Sequence, residues 1–207
     1  MPRKTLGRRT NLKEEQRRQA ITRAAIKVFS AKGFDQATMD DIMLEAGCSK
    51  SLIYWYYSSK AALFEQLLDL CMGQHVELTE RAVKSPAGFR ARLSRLVGDF
   101  IEYYRQNPDL NKLVHFGSLH GSDSSRENFS QKLTGYHDLI LKLLEEFFRE
   151  GIASGEIKPE TDVAAVALFL VAVVSGYVFL SIHRERMPAD RAVFKLIEDL
   201  VFNRILT

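Results

Sequence analysis

The run Thr38-Met39-Asp40-Asp41-Ile42-Met43-Leu44-Glu45-Ala46-Gly47-Cys48-Ser49-Lys50-Ser51-Leu52-Ile53-Tyr54-Trp55-Tyr56-Tyr57 decides the fold. Thr38 is placed to cap a short helix, with Asp41 at its third position, where a carboxylate favours the helix start. Ala46-Gly47-Cys48-Ser49 turns the chain, and Ser49 caps a second helix beginning at Lys50. Two short helices joined by a tight turn containing glycine form a helix-turn-helix, here over 38–57. The second helix of such a unit can lie in the major groove of DNA. A helix end rich in Lys, Ser, Tyr and Trp is costly as core and useful as a reading surface.

Working outward, residues 1–10 read as a basic, disordered arm carrying Arg3, Lys4, Arg8 and Arg9. Asn11 with Glu14 three residues on predicts the start of the first helix. Its apolar stripe is Ile21, Ala24, Ala25, Val28 and Phe29, and Gly33 is its natural stop. Ser59 caps a longer helix with the stripe Leu63, Phe64, Leu67, Leu68 and Cys71. Beyond it, Ser85-Pro86 predicts a helix running to about Gln106, before Asn107-Pro108. A short helix is expected over about 109–118, and Gly121-Ser122-Asp123-Ser124-Ser125 reads as a flexible loop.

A long helix over about 126–153 has Leu133, Tyr136, Leu139, Ile140, Leu143, Leu144 and Phe147 on its apolar side. Two more helices, over about 162–185 and 189–205, flank Pro188. The pattern predicts an all-α protein of about nine helices, three of them in the head. The domains expected are a head over 1–60 and a body over 61–207.

Charge divides the same way. Residues 1–60 carry 12 Lys and Arg against 6 Asp and Glu, whereas the remainder is net acidic by three. A basic head on an acidic body suits a polyanion partner, although a solvated surface gives the same pattern by chance about as often. Two cysteines in 207 residues make no disulfide framework and fit a reducing compartment. The basic N-terminus is not a secretory signal. Val163 to Ile182, 20 residues without a charge, has the length of a membrane span. Its many small residues equally suit a buried helix at a subunit interface.

From about residue 14 to 64 the chain resembles the DNA-binding head of the TetR family of bacterial transcriptional regulators. Gly33-Phe34, Thr38, Ala46-Gly47, Ser49, the Tyr54/Tyr56 pair, Ser59-Lys60 and Leu63 all fall in register. In the body only the layout of helices corresponds. The resemblance implies that Thr38 and Lys60 contact phosphates and that Tyr56 contacts the DNA backbone. Lys50, Ser51, Tyr54 and Trp55 share one helical face and are candidates to face the groove. Ser51 departs from the family, many members of which have glycine there. The arm is a candidate for a neighbouring minor groove, or for non-specific attraction alone.

For the body the resemblance implies homodimerisation through the last two helices and binding of a small effector. Ala164, Ala167, Val171, Val174, Gly176, Val193, Leu196 and Leu200 are the candidate dimer surface. Tyr104, His115, His120, Tyr136 and Tyr177 are the candidate effector contacts, since a polar tip on an aromatic body needs a partner in an apolar pocket. Ordinary core accounts for each of these aromatics at least as well.

His115 and His120 are five apart and share no helical face as metal ligands would, and no Cys/His spacing suits zinc. No phosphate loop, nucleophile elbow or His-Glu-x-x-His is present. The expectation is a cytoplasmic, homodimeric, ligand-responsive repressor with no cofactor, no metal and no enzymatic activity. The rivals are an architectural DNA-binding dimer without effector and a protein anchored through 163–182.

Overall fold

The structure is a computed structural model that describes residues 5–117, 123–183, 190–197, 199 and 202–206. Among these the chain is helical throughout, save turns and one isolated bridge between Ile157 and Leu206. Its helices are α1 (Thr5–Gln36), α2 (Met39–Ala46), α3 (Lys50–Tyr56), α4 (Lys60–Val83), α5 (Phe89–Gln106), α6 (Pro108–Gly117), α7 (Asp123–Ala153), α8 (Val163–His183), α9 (Asp190–Ile197) and α10 (Asn203–Ile205). They fall into two compact units, Met1–Leu70 with Lys112–Phe129, and Cys71–Asn111 with Ser130–Thr207.

In the first unit the core is aromatic. Phe29 stacks on Phe34 at 5.8 Å, and both meet the Phe64 ring edge-on at 5.2 and 4.9 Å. Ile21, Ala24, Ala25 and Val28 of α1, Ile42 of α2, Ile53 of α3 and Leu63, Leu67 and Leu68 of α4 close around them. The predicted stripes of α1 and α4 are buried without exception. Helix α1 starts at Thr5 rather than after Asn11; no proline interrupts the added residues, although they include Gly7. Gly33 does interrupt α1, at φ 75° and ψ 167°, a conformation open only to glycine at low cost.

In the second unit, Phe89 stacks on Phe147 at 4.2 Å and Phe148 packs against both. Helix α5 starts at Phe89, not at Ser85-Pro86. Its first N–H groups need partners, and the Glu156 carboxylate, remote in sequence, accepts from the Phe89 N–H at 2.9 Å. Arg92 is buried against this stack, its guanidinium 4.8 Å from the Phe147 ring centroid. It donates to the Val83 carbonyl at 2.7 Å, closing the end of α4, and to Glu150 at 3.3 Å.

Asp123 to Ser125 begin α7 instead of ending a loop, as Ser/Asp-rich residues suit a helix start as well as a turn. On α7, Ile140, Leu144, Phe147 and Phe148 are buried, but Leu139 is 42% exposed. Helix α8 buries Ala167, Leu170 and Val174 on one side. Among the described residues no helix is long and apolar enough to cross a membrane.

Candidate nucleic-acid interface

Helix α2 is fixed by a reciprocal cap. The Thr38 hydroxyl oxygen accepts from the Asp41 N–H at 3.1 Å, and the Asp41 carboxylate accepts from the Thr38 N–H at 3.0 Å. Lys32 pairs with the same carboxylate at 2.7 Å. Lys32 and then Thr38 hold the Asp41 carboxyl down at about 2, well below its usual range. Gly47 ends α2 in the left-handed conformation, φ 61°, with the Cys48 N–H donating back to the Met43 carbonyl. Cys48 is half-buried in this turn, and that burial raises its pKa.

Ser49 caps α3, its hydroxyl accepting from the Leu52 N–H at 3.3 Å. Seven residues are too few to hold a helix in water, so packing must fix it. Ile53 is fully buried and Tyr57, which ends the helix, is 4% exposed. With that face anchored, Lys50, Ser51, Tyr54 and Trp55 stand on the exposed side. Tyr54 is 44% and Trp55 68% exposed. The Lys50 ammonium lies 3.7 Å from Asp40, an exposed pair too weak to hold it back from a phosphate or base. Tyr56 is half-buried. Its hydroxyl donates to the Glu14 carbonyl of α1 at 3.3 Å, and its ring supports Trp55 edge-on at 4.6 Å.

Lys60 has a different setting from the one its register implies. Its ammonium donates to the carbonyls of Phe34, Ala37 and Asp35 at 2.6, 2.9 and 3.2 Å, and it sits 4.5 Å from the Phe34 ring centroid. It ties the start of α4 to the last turn of α1 and to Ala37 just beyond it. All three ammonium donors are engaged with these carbonyls. Side chains of the arm residues Arg8 and Arg9, and all of Arg3 and Lys4, lie outside the described residues.

In the second unit Tyr104 is buried with Val174, beside Phe100 and Tyr103. Sequence reasoning missed the polar nest at this place. His75 is 4% exposed, its ring against Phe100, Tyr103 and Tyr104 at 5.1–5.3 Å between centroids. The Cys71 thiol donates to the Asn111 side-chain oxygen at 3.3 Å, and Asn111 donates to the Asn107 carbonyl. Burial pushes the Cys71 thiol up to about 12, so it stays protonated. The buried Tyr103 hydroxyl has no well-formed hydrogen bond, although it lies near enough to interact with Cys71. The i, i+4 spacing of Cys71 and His75 on one helical face was the available signal.

Of the other candidate effector contacts, Tyr136 and Tyr177 are half-buried on α7 and α8, the His115 side chain is not described, and His120 lies outside the described residues. An open groove of about 620 Å³ runs along Lys158, Asp162, Ala165, Phe169, Arg204 and Ile205, and Tyr104, Tyr136 and Tyr177 do not line it.

Two candidate dimer residues face inward: Ala167 is fully buried and Val174 is 9% exposed against Tyr104. Helix α8 is apolar all round, so its sequence could not say which side meets its own unit. The outward side carries Ala164, Leu168, Phe169, Gly176, Phe179 and Leu180, and Leu196 of α9 is also exposed. Val171 and Val193 are half-buried, and Leu200 lies outside the described residues.

A family model for bacterial regulatory proteins of the tetR family matches residues 21–67, and one for the tetracyclin repressor-like C-terminal domain matches residues 89–196. The uncharacterized HTH-type transcriptional regulator YfiR of Bacillus subtilis is 25% identical over 86% of this chain and 85% of its own. The fatty acid metabolism regulator protein of the same organism is 27% identical over 69% of this chain and 72% of its own. The fold is shared with the Bacillus subtilis transcriptional regulator FadR solved in complex with stearoyl-CoA, at a TM-score of 0.72 and 22% identity, covering 86% of this chain and 96% of that one.

Proposed function

Because the chain belongs to the TetR family of bacterial regulatory proteins and is a ligand-responsive DNA-binding transcriptional regulator, we propose that it is a cytoplasmic homodimeric repressor whose α3 reads an operator half-site. One observation carries this reading. A seven-residue helix is pinned by Ile53 and Tyr57 while Lys50, Ser51, Tyr54 and Trp55 are left exposed on its other side. Thr38 is exposed at the start of α2, where free N–H groups favour a phosphate. Lys60 holds α4 to the head and adds charge nearby. The head spans residues 1–60 and the body 61–207.

The dimer surface proposed is the outward side of α8 with Leu196. Ala164 and Gly176 permit close approach, and Leu168, Phe169, Phe179 and Leu180 supply apolar area. Two copies place two recognition helices on one duplex, a helical turn or a multiple of it apart. The effector proposed is a largely apolar small molecule with one polar group. The Cys71–His75–Tyr103–Asn111 nest, beside Tyr104, is the candidate for that polar contact, with Tyr136 and Tyr177 as further candidates. Binding releases DNA only if the effector favours the conformation whose heads do not fit the operator.

The test is binding of the purified protein to the DNA immediately upstream of its own coding region, at two salt concentrations. Tight, sequence-specific, salt-sensitive binding by a dimer is expected. Weak binding, equal on any duplex, would count against an operator at that place.

A further inference from the structure

We infer that this protein reads its operator chiefly through thymine methyl groups, and that Trp55 is the residue that does so. The inference rests on the proposal that α3 enters the major groove. Helix α3 is Lys50-Ser51-Leu52-Ile53-Tyr54-Trp55-Tyr56 and contains no Arg, Asn, Gln, Asp or Glu. The bidentate pairings that read guanine through arginine and adenine through asparagine or glutamine are therefore absent from it, as is a carboxylate for cytosine. What remains exposed is one ammonium, one hydroxyl, one phenol and one indole, on Lys50, Ser51, Tyr54 and Trp55.

Lysine can address guanine and serine either kind of edge, but neither alone distinguishes many sequences. The apolar surface is much the larger resource. Only thymine offers an apolar group in the major groove, its C5 methyl. Trp55 is 68% exposed, the most open aromatic among the described residues. It is also held in place. Its ring packs edge-on against Tyr56 at 4.6 Å, and the Tyr56 hydroxyl donates to the Glu14 carbonyl of α1. An indole left in water yet supported from behind gains by covering a methyl group.

The experiment starts from a duplex enriched out of a random-sequence pool by the full-length protein. Each thymine is then replaced singly by deoxyuridine, which removes the methyl and leaves every hydrogen-bonding group. At one or two positions per half-site the replacement is expected to weaken binding about three- to fivefold, the worth of one buried methyl. In Trp55→Ala that penalty disappears, and in Trp55→Phe part of it returns. Trp55 is 68% exposed, so unchanged thermal midpoints for both variants serve as the folding control. Deoxyuridine duplexes that bind as well as thymine duplexes at every position would overturn the inference, as would a penalty that persists undiminished in Trp55→Ala. Enrichment of no sequence at all is a separate failure, that of sequence-specific operator reading itself.

Discussion

Single residues in the head divide into those that hold it and those left to act. Thr38 and Asp41 satisfy each other, and Thr38→Ala is expected to cost about 1 kcal/mol in denaturant unfolding, the usual worth of a threonine cap. Unchanged stability would remove the cap from the account. Asp41 also makes the head sensitive to acid. Its carboxyl titrates at about 2 in the folded chain against 3.8 ordinarily, so its stabilising effect is complete above about 4 and fades as pH falls toward 2. Asp41→Asn should flatten the difference between pH 4 and pH 2 in unfolding curves; an identical pH dependence would contradict this.

Lys60→Met is expected to destabilise the head by about 1–3 kcal/mol, since three carbonyls lose a charged donor. A plain phosphate contact instead predicts unchanged stability and a shallower salt dependence. At this scale the sequence was legible for the caps at Thr38, Ser49 and Ser59, which depend on neighbours three residues apart, but not at Asn11, which α1 runs through. It was not legible for Lys60, whose partners at Phe34, Asp35 and Ala37 are set by where α1 breaks.

Elements were legible where periodicity is strong. The stripes of α1 and α4 predicted their buried sides residue by residue, because one side of each meets the core and the other meets water. Helix α8 gave no such signal, being apolar on every side, and two of its proposed interface residues, Ala167 and Val174, face inward instead. The start of α5 was misplaced because its cap, Glu156, is remote in sequence and no local pattern announces it.

The packing around that cap gives a sharp prediction. A methyl added at Gly151 on α7 would lie 2.7 Å from Ile157 Cδ1 and 2.9 Å from Phe89 Cδ2, and Phe89 is itself stacked against Phe147. Gly151→Ala is expected to destabilise the protein by about 1–3 kcal/mol despite the better helix propensity of alanine. A stabilised variant would show that α5 and α7 are packed less closely than described.

For the whole molecule, the proposed repressor requires two copies. Leu168→Glu and Phe179→Glu are each expected to shift the protein toward monomer in sedimentation and to weaken operator binding together with dimerisation. A dimer that tolerates both charges would move the interface off the outward side of α8. The buried nest offers a test of effector response. Tyr103→Phe removes a hydroxyl without a well-formed partner, so stability should hold or rise slightly while the effector concentration that releases DNA changes. An unaltered response would take Tyr103 out of the effector site. The all-helical plan and the basic head were legible because both follow from composition and period. The nest was not, because it joins Cys71 and His75 to Tyr103 and Asn111 across separate helices.

The central claim is that the exposed side of α3 meets DNA, and Trp55 is the sole tryptophan of the chain. Its fluorescence, followed as upstream DNA is added to the full-length protein, tests that claim most directly. The account predicts a saturable change in emission that tracks binding and is reversed by salt. Binding that leaves the emission of Trp55 untouched would contradict it.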